Sequence, residues 1–399
     1  MRFPYPALRV NRRTGIMPLD TTADQRFFQS TTRDFLAGTV PVATVRALAE
    51  SGTGFDRSWW RRGAELGWTA MLVPEKLGGG TVSGNPMTEL ALVAEELGRA
   101  CAPGPFVTTS AVLAGLVAEA DRLADLVAAV CTGETIVTWA VYEPGRGFEA
   151  LAPYAGATEP STVAERDGDG YRVDGVKDRV EAGDQADLFL VSAQSPDGPV
   201  QLLVRADAPG VMITPTWTLD LVRRTARVSF EDVAVSADAV VHVGDDAVAA
   251  IRAQAQAAAA LTAAEMAGAA DTALAATLTW LFDRYTFGRQ LASYQALKHR
   301  MADNKTWLEA CRATATAAAA AWDDDPAGAG EAISIAKSYV GAKAPVIAQD
   351  CVQLHGGIGV TWEHDLHLYL RRITLGRALY GTPEEHRRHI TDLLDTAAA

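Results

Sequence analysis

Apolar residues recur at helical spacing between residue 20 and about residue 130. Phe27, Phe28 and Phe35 come first, then Trp59, Trp60, Leu66 and Trp68, then a run over 87–99. Residues three and four apart share one helix face, so this stretch predicts amphipathic helices. Asn85-Pro86 supplies a start for the last of them and Cys101-Ala102-Pro103-Gly104-Pro105 its stop. From about 131 to 242 the pattern shortens to β-rich runs broken by Gly, Pro and Asp. Residues 136–142, 170–173, 188–192, 200–204 and 228–230 read as strands. Helical spacing returns from about 243 in an alanine-rich form, over 247–270, 315–321 and 334–348. Asp323-Asp324-Asp325-Pro326 followed by Ala-Gly-Ala-Gly reads as a turn between two of these helices. Alanine at such spacing lets helix axes approach closely. No internal repeat is visible. The order helical, β, helical predicts an α+β architecture. It divides into an N-terminal arm over 1–18, a helical domain over 19–130, a β domain over 131–242 and a helical bundle over 243–399.

Composition adds bounds to this picture. A chain of 399 residues exceeds what one core usually serves, so two or three packed units are expected. A hydrophobic share of 48% with 21% charged residues is that of a folded globular protein. The net charge of −13 argues against nucleic acid or any partner bound by phosphate neutralisation over a large surface. A local basic pocket for a small anion stays open. Cys101, Cys131, Cys311 and Cys351 form no CxxC pair and read as buried apolar side chains in a reducing compartment, hence a cytoplasmic expectation. No apolar run reaches membrane-span length. The N-terminal arginines are not followed by an apolar block, so the start is not a secretory signal; Met17 is the native start, or residues 1–16 are a loose arm. His242, His364, His367, His386 and His389 show no ligand pattern, and no metal is expected.

Two stretches carry candidate chemistry. Arg284-Tyr285-Thr286-Phe287-Gly288-Arg289, continuing to Gln295, puts an arginine and an aromatic at the end of a long helix beside a glycine-permitted turn. Arginine suits bidentate phosphate recognition, although a helix end with Arg on the dipole and Gly as cap explains the same residues. Gln353-Leu354-His355-Gly356-Gly357-Ile358-Gly359 offers a backbone nest for a nucleotide, or a simple helix stop. Taken with Trp68–Glu75 and Gly78-Gly79-Gly80, Glu143-Pro144-Gly145-Arg146-Gly147, and Phe230-Glu231-Asp232-Val233, these motifs resemble the acyl-CoA dehydrogenase family over roughly residues 20–392.

The resemblance implies an N-terminal helical domain, a middle β-barrel or sandwich domain and a C-terminal four-helix bundle. It implies FAD lying across a subunit interface, an acyl-CoA substrate, an electron-transfer acceptor and α,β-dehydrogenation of the thioester. Arg284, Phe287, Gln295, Gln353, Gly356 and Gly357 fall where the family holds the pyrophosphate and adenosine end of a neighbour's FAD, and Thr382 joins this set. Tyr142, Arg179 and Glu181 fall where it meets the flavin ring.

There the pattern breaks. Removing an α-proton needs a positioned carboxylate. The family's two places for that glutamate hold Tyr380 and Ala258 here. Glu265, two turns on from Ala258 and about 10 Å away, is a weak candidate whose simpler reading is a hydrogen-bonded group inside the bundle. Arg179 and Glu181 replace an aromatic and a hydroxyl residue, and Tyr142 replaces a common threonine. They either meet a flavin or point to solvent and pair weakly. Residues serving a neighbour's FAD are thus kept while those of the chain's own ring and base site are altered. This matches one subunit of an α2β2 enzyme acting on steroid or other bulky acyl-CoA thioesters in lipid metabolism. The segment from Gly359 to Arg372 resembles actinobacterial subunits of that kind. Three alternatives stand beside it: a self-sufficient homo-oligomer with an atypical base such as Glu265, a non-redox binding or scaffold subunit, and altered flavin chemistry such as oxygen-using hydroxylation.

Overall fold

The computed structural model describes residues 21–147 and 161–398. The expected arm over 1–18 lies outside them. The first helical unit comprises α1 (Ala23–Thr39), α2 (Val42–Ser51), α3 (Arg57–Glu65), α4 (Pro86–Arg99), α5 (Phe106–Leu116) and α6 (Ala124–Cys131). A capping box starts α1: the Gln25 amide donates to Thr22 Oγ1 at 3.1 Å, and the Thr22 amide donates to Gln25 Oε1 at 3.0 Å. Pro86 opens α4, where its missing N–H costs nothing.

The middle unit is one eight-stranded sheet. Its strands are β1 (Val137–Ala140), β2 (Val163–Asp167), β3 (Gly170–Glu181), β4 (Leu188–Ser195), β5 (Gly198–Arg205), β6 (Val211–Thr216), β7 (Thr225–Val235) and β8 (Val240–Val243). The order is β6-β7-β3-β2-β4-β5-β8, with β1 parallel to β4. Three of these strands, β2, β6 and β8, were not expected from sequence. β2 and β6 lie largely exposed and β8 is four residues long, so none presents the alternation that marks a half-buried strand. The pairing of β3 with β7 shifts register between Lys177 and Val180. Within that bulge Arg179 takes φ +50°.

The last unit holds α7 (Asp245–Asp283), the short strands β9 (Tyr285–Thr286) and β10 (Arg289–Gln290), α8 (Gln295–Asp324), α9 (Gly330–His355), α10 (Leu366–Ala378) and α11 (Pro383–Ala398). α7 crosses α4 at near contact. A Cβ on Gly98 would fall 2.0 Å from the Glu265 carbonyl oxygen, and one on Gly268 would fall 1.9 Å from that of Glu95. The buried alanines of α7 continue this close crossing, so one apolar core joins both helical units while a second lies within the sheet. All four cysteines are buried and unpaired. No helix among the described residues is long and apolar enough to cross a membrane.

Candidate functional site

The long helix α7 stops where Arg284 turns extended and caps it. The chain then makes the tight β9–β10 hairpin. Its two turn residues, Phe287 and Gly288, have φ of +53° and +79°, the signature of a turn whose twist matches its strands. The Leu291 amide donates to the Arg284 carbonyl at 2.8 Å, and Tyr294 Oη donates to the Thr286 carbonyl at 2.8 Å. The hairpin is thereby pinned, and Phe287 stands at its tip 93% exposed.

Beside the hairpin, the C-terminal end of α9 delivers Gln353, His355, Gly356 and Gly357 to the same place. A cavity of about 630 Å³ is lined by these four together with Arg284 and Trp280, among others. Four of the seven residues assigned by resemblance to the dinucleotide therefore converge. Gln295 opens α8 and Phe287 tops the hairpin, both exposed and outside that lining. Thr382 is occupied otherwise: its amide and hydroxyl donate to Glu385 Oε2 at 2.7 and 2.8 Å, capping α11.

The groove suits a phosphate-bearing ligand. Among the described residues no carboxylate lies within ion-pair reach of Arg284. A side chain on Gly356 or Gly357 would point into open space, so a ligand can approach their backbone. Trp280 Nε1 and His355 Nε2 are buried without a hydrogen-bond partner among the described residues. His355 Nδ1 bonds the Cys351 carbonyl at 2.8 Å, which can only accept, so Nδ1 carries the proton and Nε2 is a bare acceptor.

Tyr142, Glu181 and Tyr380 are buried. Tyr380, with φ +53° in the α10–α11 connection, is buried. Its ring stacks on Trp139 at 6.4 Å and 4°, and packs against Tyr142 at 6.1 Å. The Tyr380 amide donates to Tyr142 Oη at 2.8 Å. Lys337 Nζ, fully buried, donates to the Gly376 and Gly381 carbonyls at 2.9 and 2.6 Å, and His386 Nε2 bonds the Tyr380 carbonyl at 2.9 Å. The connection is clamped from behind. Burial, with the Glu181 charge beside it, pushes the Tyr380 hydroxyl well above its ordinary range, the wrong direction for a base. Ala258 is buried in α7.

Glu181 does not point to solvent or pair weakly, as one reading of its sequence position allowed. It lies 95% buried (5% exposed), with Arg223 Nε 3.0 Å from its Oε1. Arg223 Nη2 also reaches both oxygens of Glu265, at 3.0 and 2.8 Å. Arg372 Nη1 meets Glu265 Oε1 at 3.1 Å, and Arg372 Nε pairs with Asp220. Three carboxylates thus share two guanidinium groups in the interior. Burial raises the Glu181 carboxyl against the pull of Arg223, and the Glu265 charge adds to the rise. Arg179 is half-buried instead, its guanidinium 4.6 Å over the Tyr142 ring. Sequence reasoning missed Asp220, Arg223, Arg372, Trp139, Lys337 and His386. Asp220-Leu221-Val222-Arg223-Arg224 looks like any solvated loop, and nothing local marks its charges as buried.

Comparison with known proteins gives the following. Residues 22–121 match the N-terminal domain and residues 248–394 the C-terminal domain of acyl-CoA dehydrogenases. The acyl-CoA dehydrogenase IpdE2 of Mycobacterium tuberculosis is 32% identical over 92% of this chain and 96% of its own length. Among solved structures, a variant of the Tcur3481-Tcur3483 steroid ACAD is 29% identical with a TM-score of 0.82, covering 94% of this chain and 98% of its own. The ChsE4-ChsE5 complex from Mycobacterium tuberculosis is 25% identical with a TM-score of 0.82, covering 95% and 99%.

Proposed function

Since the chain belongs to the acyl-CoA dehydrogenase family, whose members are FAD-dependent oxidoreductases acting on CH–CH bonds, we propose that it works as the base-lacking subunit of a heteromeric enzyme. It pairs with a second acyl-CoA dehydrogenase subunit that supplies the carboxylate. One observation carries this reading: Tyr380 is packed between Trp139 and Tyr142 where the family places its base. Glu265, the remaining acidic candidate on α7, has its oxygens committed to Arg223 and Arg372. With both oxygens engaged by guanidinium groups, neither is free to reach a substrate proton.

When bound, FAD takes up the hydride leaving the β-carbon of the acyl thioester. This chain's part is to hold the phosphate and adenosine end. Arg284 offers a planar cation to the pyrophosphate, and Gly356 and Gly357 allow close backbone approach. Trp280 Nε1 and His355 Nε2 supply a buried donor and acceptor in need of partners. The names of the two solved relatives support a steroid-derived or similarly bulky acyl group and a two-component assembly.

The test is FAD content per chain, read by absorbance after denaturation, for the chain alone and co-expressed with a second acyl-CoA dehydrogenase subunit. Little FAD alone, and FAD retained with turnover in the complex, is the expected result. About one FAD per chain together with turnover by the chain alone would refute the heteromeric reading in favour of a homo-oligomer.

A further inference from the structure

A second cationic site lies away from the groove. Around the β3 bulge, Arg179 Nη2 donates to the Glu143 carbonyl at 3.3 Å and to that of Arg146. Arg179 Nε and Arg227 Nε lie on either oxygen of the same Asp178, each at a long 3.8 Å. Arg146 Nε is 3.7 Å from Glu143, which is already engaged by Lys177 Nζ at 3.0 Å and by the Ser161 and Thr162 amides. Within this set four cations face two carboxylates, on a chain whose overall charge is −13. Arg146 Nη1 and Arg179 Nε are buried without hydrogen-bond partners among the described residues. Their side chains are 28% and 39% exposed, and that of Arg227 is 53% exposed. The bulge holds Arg179 at a positive φ that non-glycine residues rarely take. Such strain persists where the surroundings aim a side chain.

We propose that Arg146, Arg179 and Arg227 form an anion site that takes the phosphoryl groups of a nucleotide ligand, either coenzyme A or a flavin dinucleotide. Three guanidinium groups only loosely paired with Asp178 and Glu143 gain shorter, charge-assisted bonds from a phosphate. Stacking on Tyr142 keeps the Arg179 fork in one orientation, so little side-chain freedom is lost on binding. The choice of nucleotides rests on the family reading above; the cluster itself does not.

Isothermal titration of the full chain with inorganic pyrophosphate tests the cluster. Arg179→Gln and Arg227→Gln are each expected to weaken one binding event about tenfold, and that event weakens as salt rises. Arg205→Gln, whose partner is Asp207 on an exposed strand end, leaves it unchanged. Far-UV circular dichroism checks that each variant folds, and the more exposed Arg227→Gln reports if Arg179→Gln does not. Equal affinity in both variants and the wild type would overturn the proposal, as would weakening by Arg284→Gln alone. The latter result supports the α7–α9 groove and sinks the bulge cluster. Weakening of that event by Arg179→Gln or Arg227→Gln supports the cluster, whatever Arg284→Gln does to a separate event in the groove. Repeating the titration with coenzyme A and with FAD identifies the source as the ligand whose affinity falls in Arg179→Gln; a fall for neither also overturns the assignment.

Discussion

Replacing Glu265 with glutamine separates a structural carboxylate from a catalytic one. In the native protein Glu265 gives both oxygens to Arg223 and one of them to Arg372, all three residues being buried. Removing one partner of a buried ion pair costs about 3–5 kcal/mol, since the other charge stays desolvated. Two features place Glu265→Gln at the lower end. The amide oxygen still accepts from one arginine. Glu181, whose ionisation is opposed by burial and by the Glu265 charge, becomes easier to ionise and takes up part of the load on Arg223. With a loss of about 3 kcal/mol and an unfolding entropy of roughly 0.8 kcal/mol/K for 399 residues, Tm falls by about 4 °C. Glu265→Leu, which leaves both arginines short of a partner, falls further. Differential scanning calorimetry on the complex reads the shift, and turnover per folded, FAD-loaded enzyme is measured beside it. The structural account requires a lowered Tm with turnover within a few-fold of the wild type. An unchanged Tm with turnover abolished would refute it and make Glu265 the base.

Other outcomes follow from the same geometry. Gly98→Ala drives a methyl to 2.0 Å from the Glu265 carbonyl, and neither helix backbone can yield locally. It is expected to cost about 2–3 kcal/mol or more, and an unchanged denaturation midpoint would show that α4 and α7 do not cross so closely. His386 is held neutral, its pKa lowered to about 4 by burial and by the neighbouring Lys337 charge. The unfolded chain binds that proton near its ordinary value of about 6.5, so stability falls as pH drops from about 6.5 to about 4. In His386→Asn that slope flattens, as read by urea midpoints across the range. Glu143 is lowered to about 2 although burial pushes it up, because the Lys177 charge and the Ser161 and Thr162 amides favour its ionised form. Its contribution is complete above about pH 4.5 and lost as pH falls through about 2, so Glu143→Gln narrows the difference from wild type in that acid window. Finally, Arg284→Gln is expected to lower FAD retention by the complex about tenfold or more, measured by dialysis, while its Tm without FAD stays put.

Helix and strand periodicity was readable because it is local. The run that became α4 carries the period of its buried face, whereas β4, β5 and the middle of α7 are buried almost continuously and were legible as apolar runs. What escaped were elements with no buried face of their own, such as β2 and β6, and contacts between residues far apart in the chain. The convergence of Arg284 with Gln353, Gly356 and Gly357 was implied by the family resemblance; by themselves both motifs also read as helix ends. Thr382, assigned to the cofactor by the same resemblance, caps α11 through Glu385, a contact that only the fold reveals.

The altered positions gain their meaning as a set. Taken singly, a glutamate at 181, a tyrosine at 380 and an alanine at 258 are three unrelated departures from a family pattern. In space, Glu181 shares Arg223 with Glu265, and burial, with the Glu181 charge second, raises the pKa of the Tyr380 hydroxyl, whose ring stacks on Trp139. Restoring a carboxylate at 380 alone would put a third glutamate beside Glu181 and Glu265 without an added cation, and would remove the ring that fills the space against Trp139. Tyr380→Glu is therefore expected to destabilise the chain and to stay protonated rather than act as a base. Tyr380→Glu combined with Glu181→Thr relieves the charge crowding. Its recovery of stability beyond the sum of the single changes, in a double-mutant cycle on Tm, measures the coupling. Strict additivity would mean the departures are independent after all.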